Sequence, residues 1–134
     1  MSETIVENWL AAVVNTTEQR DYVAHMNLIS KGVTLLGVPR FNQIGYDDWS
    51  IQVKHEFEQA TIANITYRGL KLRTTTATRI MFVTHETVTA SDGSQNSRSI
   101  ECILEKEPDT QWRLTQQRIL GQDETLQYLP RLVN

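Results

Sequence analysis

The segment RSIECILEKEPDTQWRLTQQRIL, residues 98–120, holds two apolar runs, Arg98 to Glu107 and Gln111 to Leu120, on either side of Pro108-Asp109-Thr110. In the first run Ile100, Cys102 and Leu104 alternate with Ser99, Glu101, Ile103 and Glu105, close to the period of two expected of a strand with one buried face. Pro108 fixes its φ and has no N–H to give a ladder, while Asp109 bonds its own backbone in turns, so the chain reverses there. Beyond the turn Trp112 and Leu114 alternate with Arg113 and Thr115, and the apolar signal returns at Ile119 and Leu120. Between Leu114 and Ile119 the apolar parity switches, across Gln116, Gln117 and Arg118. That switch marks either a bulge or a strand end facing an interior that contains polar groups.

Working outward from this hairpin, Thr61 to Arg73 and Thr78 to Ala90 are rich in Thr, Ile, Val, Tyr and Phe, residues suited to a pleated, half-buried surface. Ser91-Asp92-Gly93-Ser94 supplies the positive φ of a tight turn, and Thr74-Thr75-Thr76 is a weaker bend. Four long strands thus follow one another in antiparallel order. Upstream, Tyr46, Trp49, Val53 and Phe57 recur at spacings of three and four, with an aspartate as cap, and predict a helix ending near Glu58. Gly32 and Pro39 bracket a β-compatible run, so Val33 to Gly45 is expected to form a small hairpin.

At the N-terminus Thr4 and Glu7 fit a capping box, followed by Ile5, Val6, Trp9, Leu10, Val13 and Val14 at helical spacing. Asn15-Thr16-Thr17 interrupts that face. A second helix is expected from a capping box of Thr16 and Gln19, with Tyr22, Met26 and Ile29 on one side. Asp123 is positioned to cap a short helix reaching Leu129.

Composition bounds the function classes. The chain has 134 residues, 13 basic against 16 acidic, for a formal charge of −3. That lacks the excess of cations needed to neutralise many phosphates, so nucleic acid is not an expected partner. No run of about 20 apolar residues suggests a membrane span, and no basic-then-apolar leader opens the chain. With the single cysteine Cys102 no internal disulfide can form, and cytoplasmic residence is the default expectation. The three histidines, His25, His55 and His85, lack paired ligand spacing, so neither a metal site nor another cofactor is expected. Gly32, Gly37 and Gly45 are too widely spaced for a phosphate loop.

Helices segregated from an antiparallel sheet define an α+β arrangement, with a curved sheet wrapped around N-terminal helices. The order of elements, with Gln111-Trp112-Arg113-Leu114 opening the last strand after a charged turn, resembles the nuclear transport factor two-like superfamily, which includes SnoaL-like and ketosteroid-isomerase-like proteins. The resemblance spans roughly residues 3–120. It implies a cystatin-like α+β cone, often a homodimer through the outer sheet face, with a pocket between helices and sheet. Activity varies across the superfamily and does not follow from the fold. The steroid-isomerase mechanism would want an aspartate base on the small hairpin, yet Val33 to Gly45 contains no acid. An epoxide-hydrolase mechanism would want aspartates on the long strands, which offer Arg79 and Arg118 but no aspartate outside the turns.

The expected pocket binds a small, largely apolar ligand. Trp9, Tyr22, Met26 and Trp49 converge from three helices, and Gln116 or Arg118 reaches in from the last strand. As a pocket enzyme of the cyclase, dehydratase or isomerase kind, the chain would use His85 or Tyr22 to handle protons. The simpler alternative for His85 is a solvated strand position, and for the aromatic residues an ordinary core. His25 could border the pocket mouth or lie exposed on its helix, and His55 belongs on the surface. Cys102, on the apolar parity of its strand, belongs to the core. On the outer face Thr74, Thr76, Thr78, Thr84, Thr87 and Thr89, with Arg68, Arg73 and Arg98, would make a polar surface able to pair with a second copy. A protein-binding module with a filled cone is the remaining alternative.

Overall fold

The computed structural model describes residues 1–121. The helix expected from Asp123 lies outside the described residues. Three helices, α1 (Ser2–Gln19), α2 (Tyr22–Met26) and α3 (Tyr46–Gln59), accompany five strands, β1 (Ile29–Leu36), β2 (Ile62–Thr75), β3 (Arg79–Ala90), β4 (Gln95–Lys106) and β5 (Trp112–Ile119). The strands form one sheet in the order β1-β5-β4-β3-β2. All neighbours are antiparallel except β1 and β5, which run parallel. The α+β cone is therefore the observed architecture.

The sheet has a core face and an outer face, and strand alternation assigns residues to each. Ile80 and Phe82 of β3, Ile100, Cys102 and Leu104 of β4 and Leu114 of β5 pack with Val6, Trp9, Leu10 and Val13 of α1 and Val53 and Phe57 of α3. Phe82, Ile80, Leu104 and Leu114 are fully enclosed. Truncating a residue such as Phe82 to alanine would cost about 3–5 kcal/mol.

The N-terminal expectations need correction. α1 runs unbroken through Asn15-Thr16-Thr17, because Thr16 Oγ1 donates to the Ala12 carbonyl at 2.8 Å and the helix continues around it. Neither capping box forms. α1 starts at Ser2 without a side-chain cap, and α2 is capped by Asp21, whose Oδ1 accepts from the Ala24 N–H at 3.1 Å. Ile29 belongs to β1 rather than to the second helix. Helix α3 carries Asp47 and Asp48 in its first turn, with Gly45 at the N-cap position.

The small hairpin Val33–Gly45 is reduced to one isolated bridge, Leu35 with Ile44. β1 finds its main partner in β5 instead, through Thr34 opposite Gln116 and Leu36 opposite Arg118. Gly37 ends β1 at φ +85°, where a Cβ would collide with the Ile119 carbonyl oxygen. Only glycine meets both demands.

The parity switch in the C-terminal strand is a bulge. Ile103 lies opposite Gln116 while Leu104 lies opposite Leu114, so Thr115 is the extra residue. From there on the faces exchange. Gln117 and Ile119 join the core face, and Gln116 and Arg118 turn outward.

Candidate functional site

Between the helices and the inner sheet face lies a cavity of about 900 Å³. Trp9 and Val13 of α1, Trp49, Val53 and Phe57 of α3, Ile29 of β1, Ile65 of β2 and Val88 of β3 supply apolar wall. At its rim Phe41 and Ile51 are 60% and 67% exposed, large apolar side chains that no core contact explains. The polar part of the lining includes His25, Thr17, Tyr67, Glu86, Arg98 and Gln117.

His25 sits at the end of α2 and is 8% exposed. Its Nδ1 is 2.9 Å from Thr16 Oγ1. The single hydroxyl proton of Thr16 is directed to backbone carbonyl oxygen on α1, so toward His25 the hydroxyl accepts, and Nδ1 carries the imidazole proton. Phe57 meets the ring edge-on, with centroids 5.3 Å apart. Nε2 makes no hydrogen bond to a described residue, yet no buried side-chain nitrogen or oxygen among the described residues lacks a partner. The unprotonated nitrogen is therefore open to the cavity. Burial holds the imidazole pKa down to about 4, so the ring is neutral at physiological pH. Chemically this is a fixed hydrogen-bond acceptor facing an apolar space.

The second polar group is a chain of three. Tyr67 OH donates to Glu86 Oε2 at 3.0 Å, and Arg98 Nε donates to Glu86 Oε1 at 3.1 Å. Glu86 is 3% exposed, so its charge is stabilised by these two donors rather than by water. Burial, and then the Glu86 carboxylate, push the Tyr67 phenol well above its ordinary range, which keeps it protonated and donating. Arg98 was expected on the outer face; it stands on the inner parity of β4, paired with Glu86. Thr84 likewise belongs to the inner parity, fully buried, with its hydroxyl on the Gly69 carbonyl.

Of the side chains expected in the pocket, Trp9 and Trp49 line this cavity. Gln116 and Arg118 do not, because the Thr115 bulge turns them to the other face, where Arg118 Nε meets Glu101 at 3.3 Å. The residue brought inward is Gln117, whose Oε1 accepts from the Cys102 thiol. Cys102 is fully buried, and burial with the Glu86 and Glu101 carboxylates raises its pKa, so it stays a protonated core residue.

Tyr22 and Met26 border a separate hollow of about 620 Å³ with Lys31, Tyr46, Glu107 and Arg113. The Tyr22 hydroxyl is engaged by Ser50 Oγ at 2.8 Å. His85 stands on the outer parity of β3, with Nδ1 3.3 Å from Ser99 Oγ, and does not line the cavity. Its pKa is lowered by burial and by Arg68. Neither His85 nor Tyr22 lines the large cavity, whereas His25 does.

No protein-family model and no curated protein matches the sequence. Solved structures do resemble the fold. An NTF-2 like protein of unknown function from Shewanella oneidensis superposes with a TM-score of 0.74 at 13% identity, covering 89% of this chain and 98% of that one. A protein of unknown function with a cystatin-like fold from Nostoc punctiforme gives 0.67 at 11% identity, covering 87% and 88%. A candidate dehydratase of the NTF2-like family from Streptomyces avermitilis gives 0.62 at 13% identity, covering 85% and 91%. The chain has the NTF2-like, cystatin-like fold, as the order of its elements implied.

Proposed function

We propose that the cavity binds a small, largely apolar molecule that presents a hydroxyl to His25. The observation that carries this reading is the imidazole itself, held through Nδ1 by Thr16 with Nε2 open to a space walled by aromatic and aliphatic side chains. Pockets of roughly 300–1,000 Å³ hold drug-sized ligands, with apolar contact for affinity and a few polar groups for orientation. One hydrogen bond to His25 would contribute about 1 kcal/mol, near fivefold in affinity. The test is calorimetric titration of the full chain with 2-naphthol and with 2-methylnaphthalene, its near-isostere. The expected result is saturable binding of both, about fivefold tighter for the naphthol, with the gap closed in His25→Phe. Equal affinities in the unaltered protein would remove His25 from the site, and no saturable binding of either compound would remove the binding reading.

Proton transfer is the second reading, favoured by the same nitrogen. The open Nε2 lone pair could take a proton α to a carbonyl, the step that isomerases, cyclases and dehydratases share. A pKa of about 4 makes it a weak base, so the exchange is expected to be slow. Under this reading the chain exchanges the α-protons of 2-tetralone in deuterated water, and His25→Gln loses that exchange. Exchange no faster than in buffer would reject catalysis of this class and leave binding in place.

A homodimer through the outer sheet face accompanies either reading. The exposed outward positions Thr66, Arg68, Lys71 and Thr74 of β2 support it as a polar, β-branched surface. Sedimentation equilibrium is expected to give a dimer that Thr66→Glu weakens; a monomer at all concentrations would end the proposal.

A further inference from the structure

We infer that the ligand is an apolar hydroxy acid, held by its hydroxyl at His25 and by a carboxylate at Arg98. This rests on the binding reading above and specifies the other end of the molecule. Among the described residues Arg98 is the only Lys or Arg lining the cavity. Its Nε is committed to Glu86, but Nη1 and Nη2 bond to no described residue. Glu86 accepts from Arg98 at one oxygen and from Tyr67 at the other, so the carboxylate anchors the guanidinium. What remains is the planar two-nitrogen edge of the guanidinium, a shape that matches a carboxylate in bidentate fashion.

The polarity of the two ends narrows the arrangement. His25 Nε2 can only accept, and a guanidinium can only donate, so a ligand serving both carries a donor at one end and an acceptor at the other. Gln117 adds to this pattern: its oxygen is held by Cys102, which leaves its amide N–H groups as further donors. A guanidinium shared between two carboxylates already occurs in this molecule. Arg113 bridges Glu107 at 3.0 Å and Asp109 at 2.8 Å. Arg98 would do the same between Glu86 and the ligand. Asp48 and Glu56 also border the cavity and oppose an anion. Asp48 is exposed, and Glu56 accepts from the Gln52 amide at 3.0 Å, so solvent and that bond weaken their field.

The experiment compares 6-hydroxy-2-naphthoic acid with 2-naphthol by calorimetric titration of the full chain at pH 7.5. The expected result is about tenfold tighter binding of the acid, the equivalent of one charge-assisted hydrogen bond. In the double variant Glu86→Gln/Arg98→Gln that ratio is expected to fall to one or below. The double variant is used because removing Arg98 alone would leave Glu86 buried without its counter-ion. If naphthol binds and the acid binds no better, the carboxylate inference is overturned and the binding reading survives. A preference for the acid that persists in the double variant would equally overturn the role of Arg98. If neither compound binds, both inferences fall together.

Discussion

His25 is uncharged because protonating it would place a cation among Trp9, Val13 and Phe57 with no carboxylate bonded to it, and the consequence extends to stability. Its pKa is about 4 in the folded chain against an ordinary 6.5. Below pH 6.5 the unfolded chain binds the proton and the folded chain does not, so stability is full above pH 6.5 and falls as the pH drops toward 4. The drop attributable to this one side chain is about 3 kcal/mol. Urea midpoints for His25→Gln are therefore expected to decline less over that window than those of the unaltered protein; parallel curves would show that His25 is not the buried titrating group. Thr16 fixes the tautomer. Thr16→Val should cost about 1–2 kcal/mol and, in ¹⁵N spectra of the ring, replace a single Nδ1-protonated form by a mixture. Sequence alone ranked His85 above His25 for a simple reason. His85 shares the parity of Met81 and Val83 on a strand whose alternation can be read, although the inner parity of β3 belongs to Ile80 and Phe82. A helix of five residues, by contrast, gives no periodicity from which to read the side that His25 takes.

At the scale of elements, the long strands were legible because alternation, Asp92-Gly93 and Pro108-Asp109 act locally. The failures share one physical cause, that polar residues facing a cavity resemble the end of an element. Thr16 and Thr17 break the apolar stripe of α1, yet both are buried. Their stripe faces His25 and the cavity rather than solvent. The parity switch in β5 was visible, but placing Gln116 and Arg118 inside carried Leu114's parity across it, whereas Ile119's parity assigns Gln117. Deleting Thr115 removes only the extra residue, after which Leu114, Gln117 and Ile119 fall on the inner face by plain alternation, so the variant is expected to keep its core face and to lose no more than about 1 kcal/mol. A loss of about 2–3 kcal/mol or more in denaturant titration would show that Thr115 is not the extra residue of this pairing. Gly37→Ala, at a positive φ and against the Ile119 carbonyl, is expected to cost about 2 kcal/mol or more. The β1–β5 pairing itself could not be read locally, since parallel partners 82 to 85 residues apart leave no turn signal between them.

For the whole molecule, element order was sufficient for the cone, because helices that precede an antiparallel meander have one apolar face to cover. Whether the cone is filled or hollow depends on how far the helices stand off the sheet, and no periodicity records that distance. The cavity therefore came only with the structure, together with the Tyr67, Glu86 and Arg98 chain, whose members lie on three adjacent strands, β2, β3 and β4, and on a face that alternation alone did not distinguish. The molecule contains its own reporters for that space. Of its three tryptophans, Trp9 and Trp49 line the cavity, while Trp112 packs against the core away from it. The most direct test of a ligand-binding cavity is the ¹H–¹⁵N indole spectrum of the full chain titrated with 2-naphthol. The expected result is a saturable shift of the Trp49 and Trp9 resonances with Trp112 unmoved. Three unmoved indoles at saturating naphthol, or a shift at Trp112 alone, would contradict the claim that this cavity is where the protein binds.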